Sequence, residues 1–225
     1  RQPVRSRMRY TQRAVPDIER AGMIVKSDRG TYYDRFRGRI MFPLYNQFGK
    51  IVGFTGRILP IEGVQTENVG KYVNSPETPI FSKSRILYGL HKSKSFIRDS
   101  QTSIVVEGQM DFLMLWQDGI KNVVASSGTG LTVEQLQMLR RLSDTIILSF
   151  DTDAAGQAAA ERSIDLALHE DFIVKILKTG TYKDAADVVV AEPGRMKQFV
   201  ADATNAMGFY YERYPVVGVD ARALK

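Results

Sequence analysis

From Ser103 onward the chain alternates short apolar runs with helix-forming stretches, and this alternation restricts its fold more than any other feature. The runs are SIVVE (103–107), Asn122 to Ala125, Thr145 to Phe150 and Phe172 to Leu177. Between the first two, Gln109 to Gln117 carries a helical apolar face at Met110, Leu113 and Met114 and stops at Asp118-Gly119. Thr132 opens the next helix with a capping box to Gln135. An Ala-rich helix spans Ala154 to Leu168, and a short one runs from Asp184 to Ala191. Strands apolar on both faces, each followed by a helix, predict an α/β unit: a parallel sheet with helices on both sides.

Carboxylates punctuate the strand ends. TIILSFDTDAAG stops abruptly at Asp151 and Asp153, spaced i, i+2, at the C-terminal end where open α/β sheets place their ligands. Two carboxylates that close repel each other unless a cation lies beside them, and oxygen-only ligands favour Mg²⁺ or Mn²⁺. Glu107 ends the first strand, with Gly108 permitting a sharp turn and Asp111 in the first turn of the next helix. Asp184 and Asp187 follow the fourth strand, facing the same side of a helix start. Each cluster alone has a plain explanation as a helix cap or an Asx-turn. Together they fall at the ends of strands one, three and four of one sheet, and the topology makes them converge.

Residues 1–100 read differently, as a basic α+β subdomain. They hold 19 basic and 8 acidic residues, +11, against 12 and 17, −5, over 101–225, for the formal net charge of +6. A basic part beside an acidic part suggests a polyanion partner for the first and bound cations for the second. Residues 1–14, with five Arg, predict an extended arm; PDIERAG (16–22) predicts a short helix, and Ile24 to Tyr33 a hairpin turning at Asp28-Arg29-Gly30. RIMFPLY (39–45) and IVGFTGRI (51–58) predict two strands, the first at an edge because of Pro43. Leu59 to Gly70 predicts a mobile loop. Lys71 to Lys83, with two prolines, predicts an ordered polar loop without regular structure, and Leu87 to Ser95 a short helix. Arg39, Arg57, Lys71 and Lys83, with Tyr72 and Asn74 between, form a set suited to phosphates and bases. The third segment, 193–225, predicts helix over 195–214 and reads as an unfinished helical region.

Several function classes recede. No run of eighteen apolar residues predicts a membrane span, and no apolar stretch follows the basic start as a signal peptide requires. Zero Cys removes disulfides and thiolate zinc from this stretch and fits a reducing cytoplasm. Ser127-Gly128-Thr129-Gly130 resembles the start of a dinucleotide fingerprint, but Val133 stands at the third glycine position. Haloacid-dehalogenase-type phosphatases also pair two Asp, but on a first strand and with a threonine where this chain has Ala155. His91 and His169 have no ligand spacing around them.

RIMFPLYNQFGKIVGFTGRIL, KYVNSPETPIFSKSRILYGL, VVEGQMDFL, SSGTGLT and FDTDAAGQAA resemble the catalytic core of bacterial DnaG-type primases from about Tyr33 to Gly194. The Glu-Gly-x-x-Asp and Asp-x-Asp parts alone resemble the wider TOPRIM pattern, shared with topoisomerases and some nucleases. The resemblance implies a TOPRIM subdomain over 101–192. It implies synthesis of short RNA primers on a single-stranded DNA template from NTPs by nucleotidyl transfer. It implies Mg²⁺ or Mn²⁺ held by Glu107, Asp151 and Asp153, with Asp111, Asp184 and Asp187 as supporting acids. Arg57, Lys71, Tyr72, Asn74 and Lys83 would lie on a basic ridge meeting nucleotides and the template. The nascent RNA primer and, through a domain this stretch does not carry, the replicative helicase would be further partners, in the nucleoid-associated cytoplasm. Gln109 departs from the family's usual aromatic, and the Asp-x-x-Asp spacing leaves open which of Asp184 and Asp187 acts. The missing initiator Met, zinc-binding and helicase-binding domains make the chain read as an excised core. A nuclease or topoisomerase fragment, or a nucleic-acid-binding module whose acids are only caps, remain the alternatives.

Overall fold

The computed structural model describes residues 15–59, 70–128, 130–150 and 154–213. It divides into two compact units, Arg1–Leu44 with Lys50–Lys83, and Tyr45–Gly49 with Ser84–Lys225. The sequence division at residue 100 differs from this partition, which groups residues 84–100 with the second unit.

In the first unit a short helix, α1 (Val15–Arg20), precedes the hairpin of β1 (Ile24–Lys26) and β2 (Tyr32–Asp34), with Ile24 opposite Asp34. Three further strands, β3 (Arg39–Tyr45), β4 (Ile51–Ile58) and β5 (Tyr72–Asn74), form a sheet in the order β3-β4-β5. Pro43 thus sits on an edge strand, as a residue without an N–H requires. The expectation that 71–83 lacks regular structure is corrected at β5, which pairs antiparallel with β4. Both prolines, Pro76 and Pro79, fall after the paired residues, so the ladder loses no donor. Ser75 ends the strand by donating its N–H to the Phe54 carbonyl (2.8 Å) and accepting the Phe54 N–H on Oγ (3.0 Å). Beyond it Thr78 and Phe81 bridge each other, and the Phe81 ring is buried over Gly53, where a Cβ would come within 3.2 Å of it.

The second unit is built on a five-stranded sheet. Its elements in chain order are α2 (Leu90–Ser100), β6 (Thr102–Val106), α3 (Gln109–Gln117), β7 (Val123–Ala125), α4 (Val133–Arg140), β8 (Thr145–Leu148) and α5 (Ala154–His169). Then come β9 (Ile173–Ile176), α6 (Ala185–Ala191), α7 (Met196–Ala201), β10 (Thr204–Asn205) and α8 (Ala206–Arg213). The order is β10-β9-β8-β6-β7, with β6, β7, β8 and β9 parallel and β10 antiparallel on β9. Side chains alternate across it. Val105, Ile146 and Leu148 join the core of α2, α4 and α5, while Ile104, Val106 and Ile147 join that of α3, α6 and α7.

Two expectations shift here. The helix expected over 87–95 is α2, later and longer, its buried positions Leu90, Ser93 and Ile97 on one face. Ser93 is polar yet fully buried, because its hydroxyl donates to the Val123 carbonyl at 2.6 Å. The helix expected over 195–214 is broken into α7 and α8 by β10, which covers the outer edge of β9. The opposite edge, β7, is covered by Tyr88, which exchanges both backbone hydrogen bonds with Ala125.

Gly89 opens α2 at φ +85°, and a Cβ there would stand 2.1 Å from the Phe112 ring. Gly89→Ala therefore combines left-handed strain with overpacking and should cost at least about 2 kcal/mol. Gly194→Ala, at φ +87° with open space around it, should cost about 1 kcal/mol. Urea unfolding followed by the single Trp, Trp116, which stacks on Phe112, reads both.

Candidate active site

The sheet changes direction between β6 and β8. From β6 the chain moves through α3 to β7 on one side; from β8 it moves through α5 to β9 on the other. Helices leaving adjacent strands to opposite faces open a crevice at the strands' C-terminal ends, the usual ligand position in such sheets. Strands one, three and four of the sequence reading are β6, β8 and β9, neighbours in the sheet. Glu107 and Asp111, after β6, and Asp184, beyond β9, are thus delivered to one edge.

Glu107 follows β6 directly. Its carbonyl accepts the N–H groups of Ser127 (2.9 Å) and Gly128 (3.2 Å), while Ser126 N–H donates to the Val106 carbonyl. Ser127 and Gly128 both adopt left-handed conformations, φ 65° and 76°. The SSGTG loop therefore works as a clasp on the Glu107 backbone; its Thr129 is outside the described residues. Gly108 is extended at φ −111°, so the expected turn geometry is not the reason for glycine. A Cβ there would lie 2.9 Å from the Asp111 carboxylate, and glycine leaves that carboxylate its place.

Asp111 ties two helices together. One oxygen accepts the Gly108 N–H (3.1 Å) at the start of α3; the other accepts the Ala186 N–H (3.1 Å) at the start of α6. The residue is buried. Burial, then the Asp184 charge and to a lesser extent that of Glu107, push its pKa up to about 6 against the pull of the two backbone N–H groups. Asp184 caps α6 by accepting the Asp187 N–H (2.8 Å), and Asp187 is exposed. Asp184 is the member of the Asp-x-x-Asp pair whose charge reaches Asp111.

Asp151 and Asp153 lie outside the described residues; in sequence they follow β8 by three and five positions. Among the described residues no three acids converge closely enough to hold a metal by themselves. The donor chemistry nevertheless fits a hard divalent cation: carboxylates only, with burial first and repulsion second raising the buried member.

The basic set lies in the first unit. Arg57 and Tyr72 are opposite each other on β4 and β5, the guanidinium 6.0 Å from the ring centre, and Thr55 faces Asn74. Lys71 is exposed, its carbonyl accepting the Ile58 N–H. Lys83 is placed by its own N–H, which donates to Glu77 at 2.8 Å. Arg39 differs from its neighbours. Its guanidinium donates to the carbonyls of Gly56 (3.0 Å), Lys71 (3.2 Å) and Gly70 (2.9 Å), so it clamps the approach to β5 against β4. The structure thus brings Arg57, Tyr72, Lys71 and Asn74 to one pair of strands and gives Arg39 a structural duty.

The sequence reading placed Asp111 among supporting acids and did not foresee its bridge. The signal was partly present: an N3 acid after a glycine N-cap marks a cap, but the α6 partner 75 residues away has no local trace.

Comparison with known proteins agrees with this architecture. The Toprim-like family matches residues 104–189, so the second unit has a Toprim-like fold. The family described as DNA primase catalytic core, N-terminal domain, matches residues 3–94. A DNA primase of Clostridium acetobutylicum is 44% identical over 174 residues, covering 77% of this chain and 28% of that protein. The RNA polymerase domain of Mycobacterium tuberculosis primase DnaG superposes with a TM-score of 0.76 at 31% identity, covering 93% of this chain and 69% of that one. A DnaG primase catalytic domain bound to ssDNA gives 0.79 at 32% identity, covering 95% and 67%. The chain belongs to the DnaG-type DNA primase family, and it spans less than a third of the length of the curated relatives it matches. Among the described residues no helix is long and apolar enough to cross a membrane.

Asp111 gives a pH prediction with a definite sign. Its folded pKa lies above the ordinary 3.8, so its protonation stabilises the fold; the effect is full below pH 3.8 and is lost as pH rises through about 6. Asp111→Asn removes the titration and one acceptor. The stability difference between parent and variant should be about 1 kcal/mol larger at pH 5 than at pH 7. Urea unfolding at the two pH values, without divalent ions, measures it.

Proposed function

We propose that this chain is the catalytic core of a DNA primase, synthesising short RNA primers on single-stranded DNA by metal-dependent nucleotidyl transfer. The observation that carries the reading is the acidic edge at the sheet's switch point, with Glu107 clasped by the 126–128 loop and Asp111 under the charge of Asp184. Membership of the primase family supplies the reaction, and a relative bound to ssDNA supports the choice of template.

Glu107, Asp151 and Asp153 would hold Mg²⁺ or Mn²⁺, with Asp111 and Asp184 setting the field behind them. When bound, the ion would bind the incoming triphosphate, acidify the priming 3′-OH and stabilise the pyrophosphate leaving group. The chain's own residues do the rest. Glu107 is held at its backbone by Ser127 and Gly128, and its charge acts on Asp111. Asp111 locks α3 to α6, which keeps Asp184 beside it. Arg57 and Lys71 neutralise phosphates, and Tyr72 and Asn74 offer a stacking face and a polar edge. The NTPs and the nascent primer are the partners this requires. Contact with the replicative helicase and a place in the cytoplasm are proposed for the whole protein.

Ribonucleotide incorporation on single-stranded DNA with Mg²⁺ or Mn²⁺ tests the assignment. Asp151→Ala and Glu107→Gln should each lower the rate by about 100-fold or more, as loss of transition-state electrostatics usually does. Equal rates would remove these acids from the centre, and DNA cleavage in place of extension would favour a nuclease. Lys71→Ala and Arg57→Ala should weaken template or NTP binding about tenfold and leave unfolding unchanged. Titration by fluorescence anisotropy measures that, and unaltered binding would take both residues out of the site.

A further inference from the structure

The turn between β3 and β4, Tyr45–Gly49, groups with the second unit and packs on α2. It is a rigid turn. Asn46 accepts the Phe48 N–H on its side chain (3.0 Å) and the Gly49 N–H on its carbonyl (2.9 Å). Lys94 donates to the Gln47 carbonyl at 3.2 Å, and the Tyr45 ring stacks on His91 with centres 4.1 Å apart. A turn fixed at this many points nevertheless holds the Phe48 ring 76% exposed. A large apolar ring on a well-ordered, polar turn gains nothing for folding.

Its surroundings say what it suits. His91, Lys94 and Arg98 are spaced i, i+3, i+7 and share one face of α2, starting beside the turn. Lys94 and Arg98 are exposed, and Lys92 adds a further exposed cation on the same helix. Burial and then the charges of Lys92 and Lys94 lower the His91 pKa, so the row's positive charge at neutral pH comes from Lys94 and Arg98. The one acid of α2, Asp99, lies in its last turn, at the far end from the Phe48 turn. Lys94 spends one of its three donors on Gln47 and keeps two. An exposed aromatic ring at the head of a row of cations matches an unpaired nucleotide strand: the ring stacks a base and the cations follow the phosphates.

We propose that Phe48, with Lys94 and Arg98, is a contact for single-stranded nucleic acid, additional to the β4–β5 basic set and to the acidic edge. Phe48 stacks an unpaired base, and the α2 row meets the phosphates beside it. The inference rests on the reading that this chain takes a single-stranded template.

Fluorescence anisotropy of a labelled single-stranded DNA of mixed sequence, titrated with the whole chain across a range of salt, tests it. Phe48→Ala should weaken binding about tenfold, and Phe48→Trp should restore it, because stacking is tolerant of ring type. Arg98→Ala should lower the slope of log affinity against log salt by about 0.7. On an oligonucleotide lacking bases the difference in affinity between the parent and Phe48→Ala should vanish. Thermal unfolding identical to the parent confirms that Phe48→Ala is folded. If Arg57→Ala weakens binding while Phe48→Ala does not, the inference fails and the template reading stands. If the parent shows no binding, both fall. A Phe48→Ala loss that Phe48→Trp does not repair would overturn the stacking role.

Discussion

Like charges crowded at one end of a parallel sheet are the condition the rest of this structure has to meet. β9, β8 and β6 lie side by side and point the same way, so Glu107 and Asp111 after β6 and Asp184 beyond β9 share one edge. The fold holds them there with backbone N–H groups. Asp111 takes two, from Gly108 and Ala186; Asp184 takes that of Asp187. Even so, Asp111 remains raised to about 6, a sign that hydrogen bonds only partly offset burial and repulsion. A divalent cation would supply the missing charge. On the proposed function, the same residues that cap helices would also support a cation at this edge.

Helix capping and metal support are therefore not rival explanations for Asp111 and Asp184. A carboxylate locked by two backbone donors is poorly placed to move, and its charge acts on its neighbours through a desolvated region. Glu107 differs, since the N–H groups of Ser127 and Gly128 hold it through its backbone carbonyl.

Much of the fold was legible because the burial pattern is simple. Ile146, Ile147 and Leu148 are buried on both faces, as the sequence of a central parallel strand suggests, and Thr132 and Gln135 form the expected capping box. The misreadings share a cause. α2 is held by Ser93 on Val123 and by the room Gly89 leaves for Phe112, partners far along the chain. β5 exists because β4 offers an edge, and Tyr72–Asn74 has no strand signal strong enough to show alone. β10 is two residues long and owes its existence to the edge of β9. At the site, Glu107, Asp111 and Asp184 were legible as acids near strand ends, while Asp151 and Asp153 lie outside the described residues. The Asp111 bridge and the clamp role of Arg39 were not, because both depend on backbone groups brought together by tertiary pairing.

The central claim is that Glu107 and the acids after β8 share an ion. Anomalous diffraction from crystals soaked in Mn²⁺ addresses it directly. The account predicts a peak within coordination distance of the carboxylates of Glu107 and Asp151 or Asp153, lost in Glu107→Gln. A peak elsewhere with none at Glu107, or one that survives Glu107→Gln unchanged, would contradict it.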